Sequence, residues 1–215
     1  LGAPSRTVDF TVPTGNFGDI FAGYVAKKMG LPVRCLRIAA NVNDILARTL
    51  KTGIYEVREV HATTSPSMDI QVSSNFERLL FEATGRDAAQ VRALMSSLQQ
   101  SGRFVLPDSV LAEIRCDFDA GSADETETAA AIRTAWREVG DLVDPHTAVA
   151  LAVADRDASD SRIPNIVLAT AHAAKFPDAV EAACGVRPQL PACLDGLMTR
   201  PERITVVNND QADIE

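Results

Sequence analysis

The feature that most constrains the fold is a glycine turn at residues 12–19, Val-Pro-Thr-Gly-Asn-Phe-Gly-Asp, which separates two hydrophobic patterns. Apolar residues alternate over residues 8–12 before the turn and recur with helical spacing over residues 20–29 after it. Alternation is typical of a strand, and the second spacing is typical of an amphipathic helix. Because glycine readily adopts positive φ, the chain can turn tightly between them. The sequence therefore predicts a strand, a glycine turn and a helix.

The same turn has the chemistry of a phosphate site. It can expose successive backbone amides, and the helix that follows adds unpaired N–H groups and the positive end of its dipole. The nucleoside-triphosphate loop needs Lys after its second glycine, where Asp19 stands, and the pattern G-x-G-x-x-G is absent. We expect Asp19 to cap the helix, since an inward carboxylate would repel phosphate. Alternatively, the glycines are needed only because the backbone turns here, and no phosphate binds. The predicted phosphate site comprises Gly15, Asn16, Phe17, Gly18 and Asp19.

Strands and helices continue to alternate along the chain. A second strand is predicted over residues 33–39 and a third over residues 164–170, with helices between them. Short connections between such elements indicate an α/β fold with a mostly parallel sheet flanked by helices. Three consecutive helical patterns predict a helical insertion over about residues 86–142, and a final short strand is predicted over residues 204–207.

Several polar segments are expected to meet at one rim of this sheet. Ligands of parallel α/β sheets bind beyond the carboxyl ends of strands, and the glycine turn, residues 41–44 and residues 170–172 each follow a strand. Asn41 and Asn43 could donate side-chain amides to a substrate, although capping of the next helix by Asn43 or Asp44 is the favoured interpretation. The hydroxyl-rich residues 60–69 form an irregular loop that either faces a ligand or merely connects surface elements.

Composition excludes several classes of function. The formal net charge of −8 argues against a nucleic acid or an anionic membrane as partner, and no apolar run approaches the roughly 20 residues that span a bilayer. No basic and then apolar leader is present, so secretion is not expected. No C-x-x-C pair occurs and the histidines do not cluster with the cysteines, so no metal site is predicted and a cytoplasmic location is expected. The cysteines are Cys35, Cys116, Cys184 and Cys193.

Five segments match one known family in order. They are Val-Pro-Thr-Gly-Asn-Phe-Gly-Asp (12–19), Ala-Gly-Tyr-Val-Ala-Lys-Lys-Met-Gly-Leu-Pro (22–32), Ser-Pro-Ser-Met-Asp-Ile and Ser-Ser-Asn-Phe-Glu-Arg (65–78), Asp-Pro-His-Thr-Ala-Val (144–149), and Thr-Ala-His-Ala-Ala-Lys-Phe (170–176). Together they resemble threonine synthase, a pyridoxal-phosphate enzyme of fold type II. The family is considerably longer and has its Schiff-base lysine upstream. The chain therefore resembles the C-terminal half alone, and the implied partner is the upstream half of the same protein.

The resemblance implies a cofactor, a reaction and two binding roles. The cofactor is pyridoxal 5'-phosphate, and the reaction converts O-phospho-L-homoserine and water into L-threonine and phosphate. Residues 15–19 would hold the cofactor phosphate, and Thr170 would form a hydrogen bond with the pyridine nitrogen. Thr170 could instead simply cap the element that follows it. Ala173 stands where the family often has proline, which loosens this turn slightly.

The remaining candidates are histidines, a threonine and lysines. His146, Thr147 and His172 could contact the substrate phosphate, or they could be structural groups whose hydrogen bonds are satisfied within the protein. Of the lysines, Lys175 follows the rim strand, but the family motif gives it no covalent role. A Schiff-base lysine needs an apolar or cationic pocket, so we expect the essential lysine outside this chain and assign no catalytic residue within it.

Two other functions stay open at this point. One is a related pyridoxal-phosphate-dependent threonine or serine dehydratase. The other is a non-catalytic fragment that binds a phosphate or a partner protein. The long match over residues 65–78 favours the synthase. Because the essential lysine is expected outside this chain, the isolated chain is expected to be inactive.

Overall fold

A computed structural model describes residues 5–156 and 162–213 as an α/β structure. Its strands are β1 (Val8–Pro13), β2 (Val33–Ala40), β3 (Ile54–Glu56), β4 (Arg103–Val105), β5 (Phe118–Ser122) and β6 (Asn165–Val167). Its helices of two turns or more are α1 (Gly18–Lys28), α2 (Ile45–Thr52), α3 (Phe76–Ala83), α4 (Ala88–Ser101), α5 (Asp108–Asp117), α6 (Glu125–Val139), α7 (Pro145–Asp155) and α8 (Pro177–Cys184).

The main sheet is parallel and has the strand order β5-β2-β1-β6. In its centre Val12 of β1 lies opposite Ile38 of β2, and Phe10 lies opposite Ile166 of β6. β1 is buried along most of its length, including its polar residues Asp9 and Thr11. Asp9 accepts a hydrogen bond from Arg34 Nε at 3.0 Å, and Thr11 Oγ1 donates to Asn165 Oδ1 at 3.0 Å, so these buried polar groups have partners. β3 and β4 form a separate antiparallel pair. The predicted α/β fold with a mostly parallel sheet is confirmed.

An aromatic cluster ties the glycine turn to the core. The ring of Phe17 lies 5.4 Å from that of Phe76 and 5.8 Å from that of Phe118, measured between centroids. Tyr55 stacks on Phe76 at 5.5 Å, which extends the cluster toward the small sheet. The buried ring of Phe17 therefore anchors the glycine turn in the hydrophobic core.

The predicted helical insertion needs one correction. Residues 86–142 contain α4, α5 and α6, but they also contain β4 and the edge strand β5. β5 pairs with β2 from Phe118 opposite Leu36 to Ser122 opposite Ala40. Its sequence, Phe-Asp-Ala-Gly-Ser, has no alternating pattern, so the strand is stabilised by pairing with β2 and by burial of Phe118 rather than by local propensity.

The strand predicted over residues 204–207 is wrong. These residues are irregular, and the side chain of Val206 is 91% exposed. A strand needs both a neighbour for its hydrogen bonds and a face to bury, and neither is provided at this position.

Among the helices of the described ranges, none has the length and apolar character that crossing a bilayer requires.

Candidate functional site

A cleft of about 290 Å³ lies beyond the carboxyl ends of β1 and β6. Its walls come from the glycine turn, the loop at Ser67 and Met68, the start of α7, and the segment from Thr170 to Phe176. Two of the three rim segments expected from the sequence therefore meet here, since Thr170 lies in the same cleft as the glycine turn. The third, residues 41–44, does not line it.

The backbone amides of the turn face away from the groups that hold its carbonyls. Within residues 5–156 and 162–213, the six consecutive N–H groups from Gly15 to Ile20 make no hydrogen bond. The carbonyls of the turn, by contrast, are held from outside: Ser73 Oγ donates to Gly15 O at 2.7 Å, and Asn75 Nδ2 donates to Asn16 O at 2.7 Å. Because N–H and C=O point in opposite directions across a trans peptide, these anchors direct the amides of Asn16 and Phe17 away from residues 73–75.

Phe17 has an unusual backbone conformation that shapes the turn. Its φ is 66° and its ψ is 7°, the left-handed region that a bulky residue seldom adopts. The buried ring in the aromatic cluster holds it there. A left-handed residue immediately before a helix turns neighbouring amides toward a common point, which is the arrangement that binds anions.

Asp19 does not cap the helix, so that prediction is wrong. The residue at the capping position is Phe17, which provides no side-chain hydrogen bond. Asp19 lies in the first turn of α1 and is exposed, where its charge interacts favourably with the helix dipole. The first amides of α1 therefore remain available.

The two glycines of the turn differ in what surrounds them. A Cβ on Gly15 would lie 2.5 Å from the carbonyl oxygen of Ser67, so close packing alone explains this glycine. Apart from its chain neighbours and the backbone of its own helix, no atom of residues 5–156 and 162–213 lies within 4 Å of where a Cβ on Gly18 would stand, and its φ is not positive. Packing among the described residues therefore leaves open space beside Gly18.

Asn41 and Asn43 hold the loop over residues 61–69 instead of capping α2. The Nδ2 of Asn41 donates to Asp69 Oδ1 at 2.8 Å, and the Nδ2 of Asn43 donates to the carbonyl of His61 at 2.8 Å. α2 begins after Asp44 without a side-chain cap, so the capping prediction is wrong.

Asp69 is the centre of this loop. Its carboxylate accepts hydrogen bonds from Asn41, Asn43 and the amide of Thr63, the last at 2.8 Å. These bonds replace regular secondary structure, and they position Ser67 and Met68 against the cleft. The loop therefore borders the cleft through Ser67 and Met68, whereas the hydroxyls of Thr63 and Ser65 form hydrogen bonds within the loop.

The start of α7 carries a buried cluster of polar side chains. The fully buried carboxylate of Asp144 caps the helix and accepts a hydrogen bond from His146 Nδ1 at 2.7 Å. Thr147 donates its hydroxyl to the same carboxylate. Burial raises the pKa of Asp144, but the hydrogen bonds from His146 and Thr147 outweigh this and hold it below its ordinary value of 3.8.

His146 borders the cleft, whereas Thr147 and His172 do not. The hydroxyl of Thr147 is committed to Asp144. His172 is exposed, and its Nδ1 accepts from the amide of Ala174 at 3.1 Å, which caps a short 3-10 helix.

The lysines are ion-paired, exposed on a helix, or exposed beside the cleft. Lys27 and Lys28 form ion pairs with Asp117 at 2.7 and 3.0 Å, and the hydrogen bond to Asp117 is the main reason why the pKa of Lys28 is raised. A covalent lysine needs the opposite shift. Lys51 is exposed on α2. Lys175 borders the cleft but is exposed, with its Nζ 5.8 Å from the centre of the Phe176 ring.

Comparison with known proteins shows which family this chain is similar to. The family model described as "Threonine synthase, C-terminal" matches residues 147–215. Threonine synthase from Pseudomonas aeruginosa is 46% identical over 100% of this chain and 46% of its own length. The yeast enzyme is 40% identical over 100% of this chain. The chain matches the C-terminal half of threonine synthase.

The solved threonine synthases agree with this assignment. A structure titled as pyridoxal-phosphate-bound threonine synthase from Brucella melitensis is 61% identical, covers 99% of this chain and superposes with a TM-score of 0.93. The yeast structure has a TM-score of 0.86 over 94% of the chain. Each corresponds to this chain over less than half of its own length, so the chain spans about half of the threonine synthases that it matches. The synthase is better supported than the dehydratase alternative.

Reasoning from the sequence missed the residues that hold the turn. Ser73 and Asn75 fix its carbonyls, and Ser67 packs on Gly15, although all three lie within the segment over residues 65–78 that resembles threonine synthase. Their contacts join parts of the chain more than 50 residues apart. No local pattern reports contacts over that separation. Groups of His, Cys, Asp or Glu that could hold a metal are absent from the described residues.

Proposed function

We propose that the protein carrying this chain is a pyridoxal-phosphate-dependent threonine synthase, which converts O-phospho-L-homoserine and water into L-threonine and phosphate. We further propose that residues 1–215 form the C-terminal part of its catalytic domain. The observation that carries the proposal is the run of six backbone amides from Gly15 to Ile20 at the wall of the cleft, which form no hydrogen bond with any described residue.

The residues present fit a phosphate group. A phosphate dianion offers several strong acceptors, and the turn offers several donors together with the N-terminus of α1. The open side of Gly18 leaves room for a ligand atom where a side chain would intrude. Gly15, Asn16, Phe17, Gly18 and Asp19 therefore form the proposed cofactor-phosphate site.

Thr170 is the proposed partner of the pyridine nitrogen. It follows β6 and is exposed in the same cleft as the glycine turn. A hydroxyl can donate to or accept from a ring nitrogen, and unlike a carboxylate it does not hold a proton on the ring. When bound, pyridoxal phosphate supplies the electron sink that the elimination requires.

The other candidate residues from the sequence analysis form hydrogen bonds within the protein or lie outside the cleft. Hydrogen bonds inside the protein engage the side chains of Asn41, Asn43, His146 and Thr147. We propose that they shape the site and leave contact with the substrate phosphate to other groups. His172 lies outside the lining of the cleft, so we do not extend the substrate role to it.

The covalent lysine is proposed to come from the upstream half of the protein. Each lysine of this chain is either ion-paired or exposed, and a nucleophilic lysine needs a pocket that lowers its pKa. We also propose a cytoplasmic location, because Cys35, Cys116, Cys184 and Cys193 are all free and a reducing compartment keeps thiols in that state.

Activity of the complete protein tests the proposal. With O-phospho-L-homoserine and pyridoxal phosphate we expect equal amounts of L-threonine and phosphate. Formation of an oxo acid and ammonia from L-threonine as the dominant activity would identify a dehydratase instead. Thr170→Val should lower kcat about tenfold or more, since it removes one hydrogen bond to the reacting ring system. The matched variant Thr170→Ser keeps the hydroxyl and should retain most of the activity.

A further inference from the structure

We propose that His146 is a positioning residue: it fixes the glycine turn through the backbone of Ser67 and does not itself bind the ligand. This inference rests on the proposed cofactor-phosphate site. It assigns to His146 a role different from the substrate contact that its position beside the rim suggests.

Both ring nitrogens of His146 are committed to the protein. Nδ1 lies 2.7 Å from Asp144 Oδ2, and Nε2 lies 3.2 Å from the amide nitrogen of Ser67. An amide N–H can only donate, so Nε2 must be the unprotonated acceptor and the ring proton must lie on Nδ1. His146 is therefore a neutral imidazole that donates to Asp144 and accepts from Ser67.

Ser67 connects the histidine to the turn. Its carbonyl oxygen lies 2.5 Å from where a Cβ on Gly15 would stand, so the backbone of Ser67 packs directly on the turn. Asn41 and Asn43 restrain the same loop through Asp69 and His61. In the part of the chain that the structure describes, the amide of Ser67 has His146 as its hydrogen-bond partner.

The Nδ1 side of the His146 ring is held by Asp144. Asp144 is fully buried and also accepts from the amides of His146 and Thr147, at 2.9 and 3.3 Å. α7 packs on the main sheet, and the ring of Phe176 lies 4.8 Å from the imidazole. Displacement of Ser67 would therefore be resisted by the sheet itself, with His146 transmitting the restraint.

The consequence for binding is geometric. Amide donors stabilise an anion only when they are held close to the productive positions, within roughly 0.5 Å. If Ser67 loses its hydrogen bond, the wall behind Gly15 loosens and the donors of the turn lose their alignment. Affinity for the cofactor phosphate falls although no ligand contact has been removed.

The tautomer gives a test that does not depend on activity. In the complete protein labelled with ¹⁵N-histidine, we expect the His146 resonances to show a protonated Nδ1 and an unprotonated Nε2, both with and without pyridoxal phosphate. The variants described next identify these signals among the three histidines of this chain. A protonated Nε2 in the complete protein would overturn the inference, because Nε2 could not then accept from Ser67.

Two substitutions separate positioning from general stability. In His146→Gln the longer side chain can still present an oxygen to the Ser67 amide, whereas His146→Asn is too short to reach it. We expect His146→Asn to weaken pyridoxal-phosphate binding about tenfold, as loss of a hydrogen bond implies, and to speed amide exchange over residues 65–69. His146→Gln should restore both, and the control His61→Asn should change neither, since His61 is exposed and uses only its backbone in the loop.

The outcomes distinguish this inference from the proposed function. If the complete protein does not bind pyridoxal phosphate, the proposed function fails. If it binds the cofactor and both His146 variants match the unmodified protein, His146 has no positioning role. If His146→Gln is as weak as His146→Asn, the ring acts by some route other than acceptance from Ser67, and the inference is equally overturned.

Discussion

Gly15 and Gly18 occupy one turn for different physical reasons. The backbone of Ser67 approaches Gly15 so closely that a methyl group at that position would meet its carbonyl oxygen at 2.5 Å. In the described part of the chain, no atom beyond the neighbouring residues and the helix backbone lies within 4 Å of the same position at Gly18. The fold itself therefore leaves no room for a side chain at Gly15. At Gly18 a side chain would be excluded only by a bound ligand.

Alanine at each glycine should consequently give opposite results. Gly15→Ala should lower the free energy of unfolding by about 1–3 kcal/mol, because overpacking forces the backbone to move. Gly18→Ala should leave stability unchanged or raise it by about 0.4–1 kcal/mol through restriction of the unfolded chain. It should nevertheless weaken pyridoxal-phosphate binding. Thermal melts and cofactor titration of the complete protein measure the two effects, and equal destabilisation by both substitutions would contradict this account.

The depressed pKa of Asp144 makes part of the stability depend on pH. Its carboxylate has a lower pKa in the folded protein than its ordinary value of 3.8, so it contributes stability above that value and loses it as pH falls through the folded pKa. We expect the free energy of unfolding to decline below about pH 4 with a steeper slope in the unmodified protein than in Asp144→Asn, which keeps a capping side chain. Parallel slopes in denaturant titrations from pH 3 to 6 would show that Asp144 does not contribute.

At the scale of elements, the loop over residues 61–69 is a polar substructure without regular secondary structure. Its backbone and hydroxyl groups converge on Asp69, which Asn41 and Asn43 contact from the end of β2. A buried network of this kind is stable only while every member has a partner. Removal of one amide should therefore affect the whole loop.

Asn43→Ala tests which element that residue serves. It removes the donor to the carbonyl of His61 and the acceptor of the His61 amide, each at 2.8 Å. We expect destabilisation of about 1–3 kcal/mol from the unpaired groups, with faster amide exchange over residues 61–69. Hydrogen exchange with residue-level resolution provides the check. Faster exchange at the first turn of α2 alone would instead restore the capping interpretation.

A strand or helix can be predicted from the sequence when the interactions that stabilise it lie within its own segment. β1, β2, α1 and α7 carry strong periodicity or proline and cap signals, so their existence follows from the sequence. β5 does not, because its stability comes from pairing with β2, and the apolar residues at 204–207 resemble a strand without having a partner. The glycine turn is local and was found, whereas its supports, Ser73 and Asn75, act over long separations.

At the scale of the whole molecule, the proposed phosphate site and the setting of the lysines can be compared. The turn, the sheet that carries it and the loop that packs on it all lie within residues 8–170. No lysine of the chain combines burial with an apolar setting: Lys27 and Lys28 face Asp117, and Lys51 and Lys175 are exposed. The threonine synthase structures that match are about twice as long as this chain, and our proposal places the covalent lysine in the part that this chain does not include.

We therefore expect the 215-residue chain alone to bind pyridoxal phosphate weakly and to form no threonine from O-phospho-L-homoserine. A phosphate cradle without a covalent partner retains only the non-covalent share of the binding energy. After incubation with the cofactor and reduction with borohydride, peptide mass spectrometry should show scattered, substoichiometric labelling of exposed lysines. Adding the upstream half should produce one stoichiometric label outside this chain, together with turnover. Stoichiometric labelling of Lys175, together with turnover by the isolated chain, would contradict this expectation. It would show that Lys175, which borders the cleft, is the covalent lysine and that this chain contains the whole site.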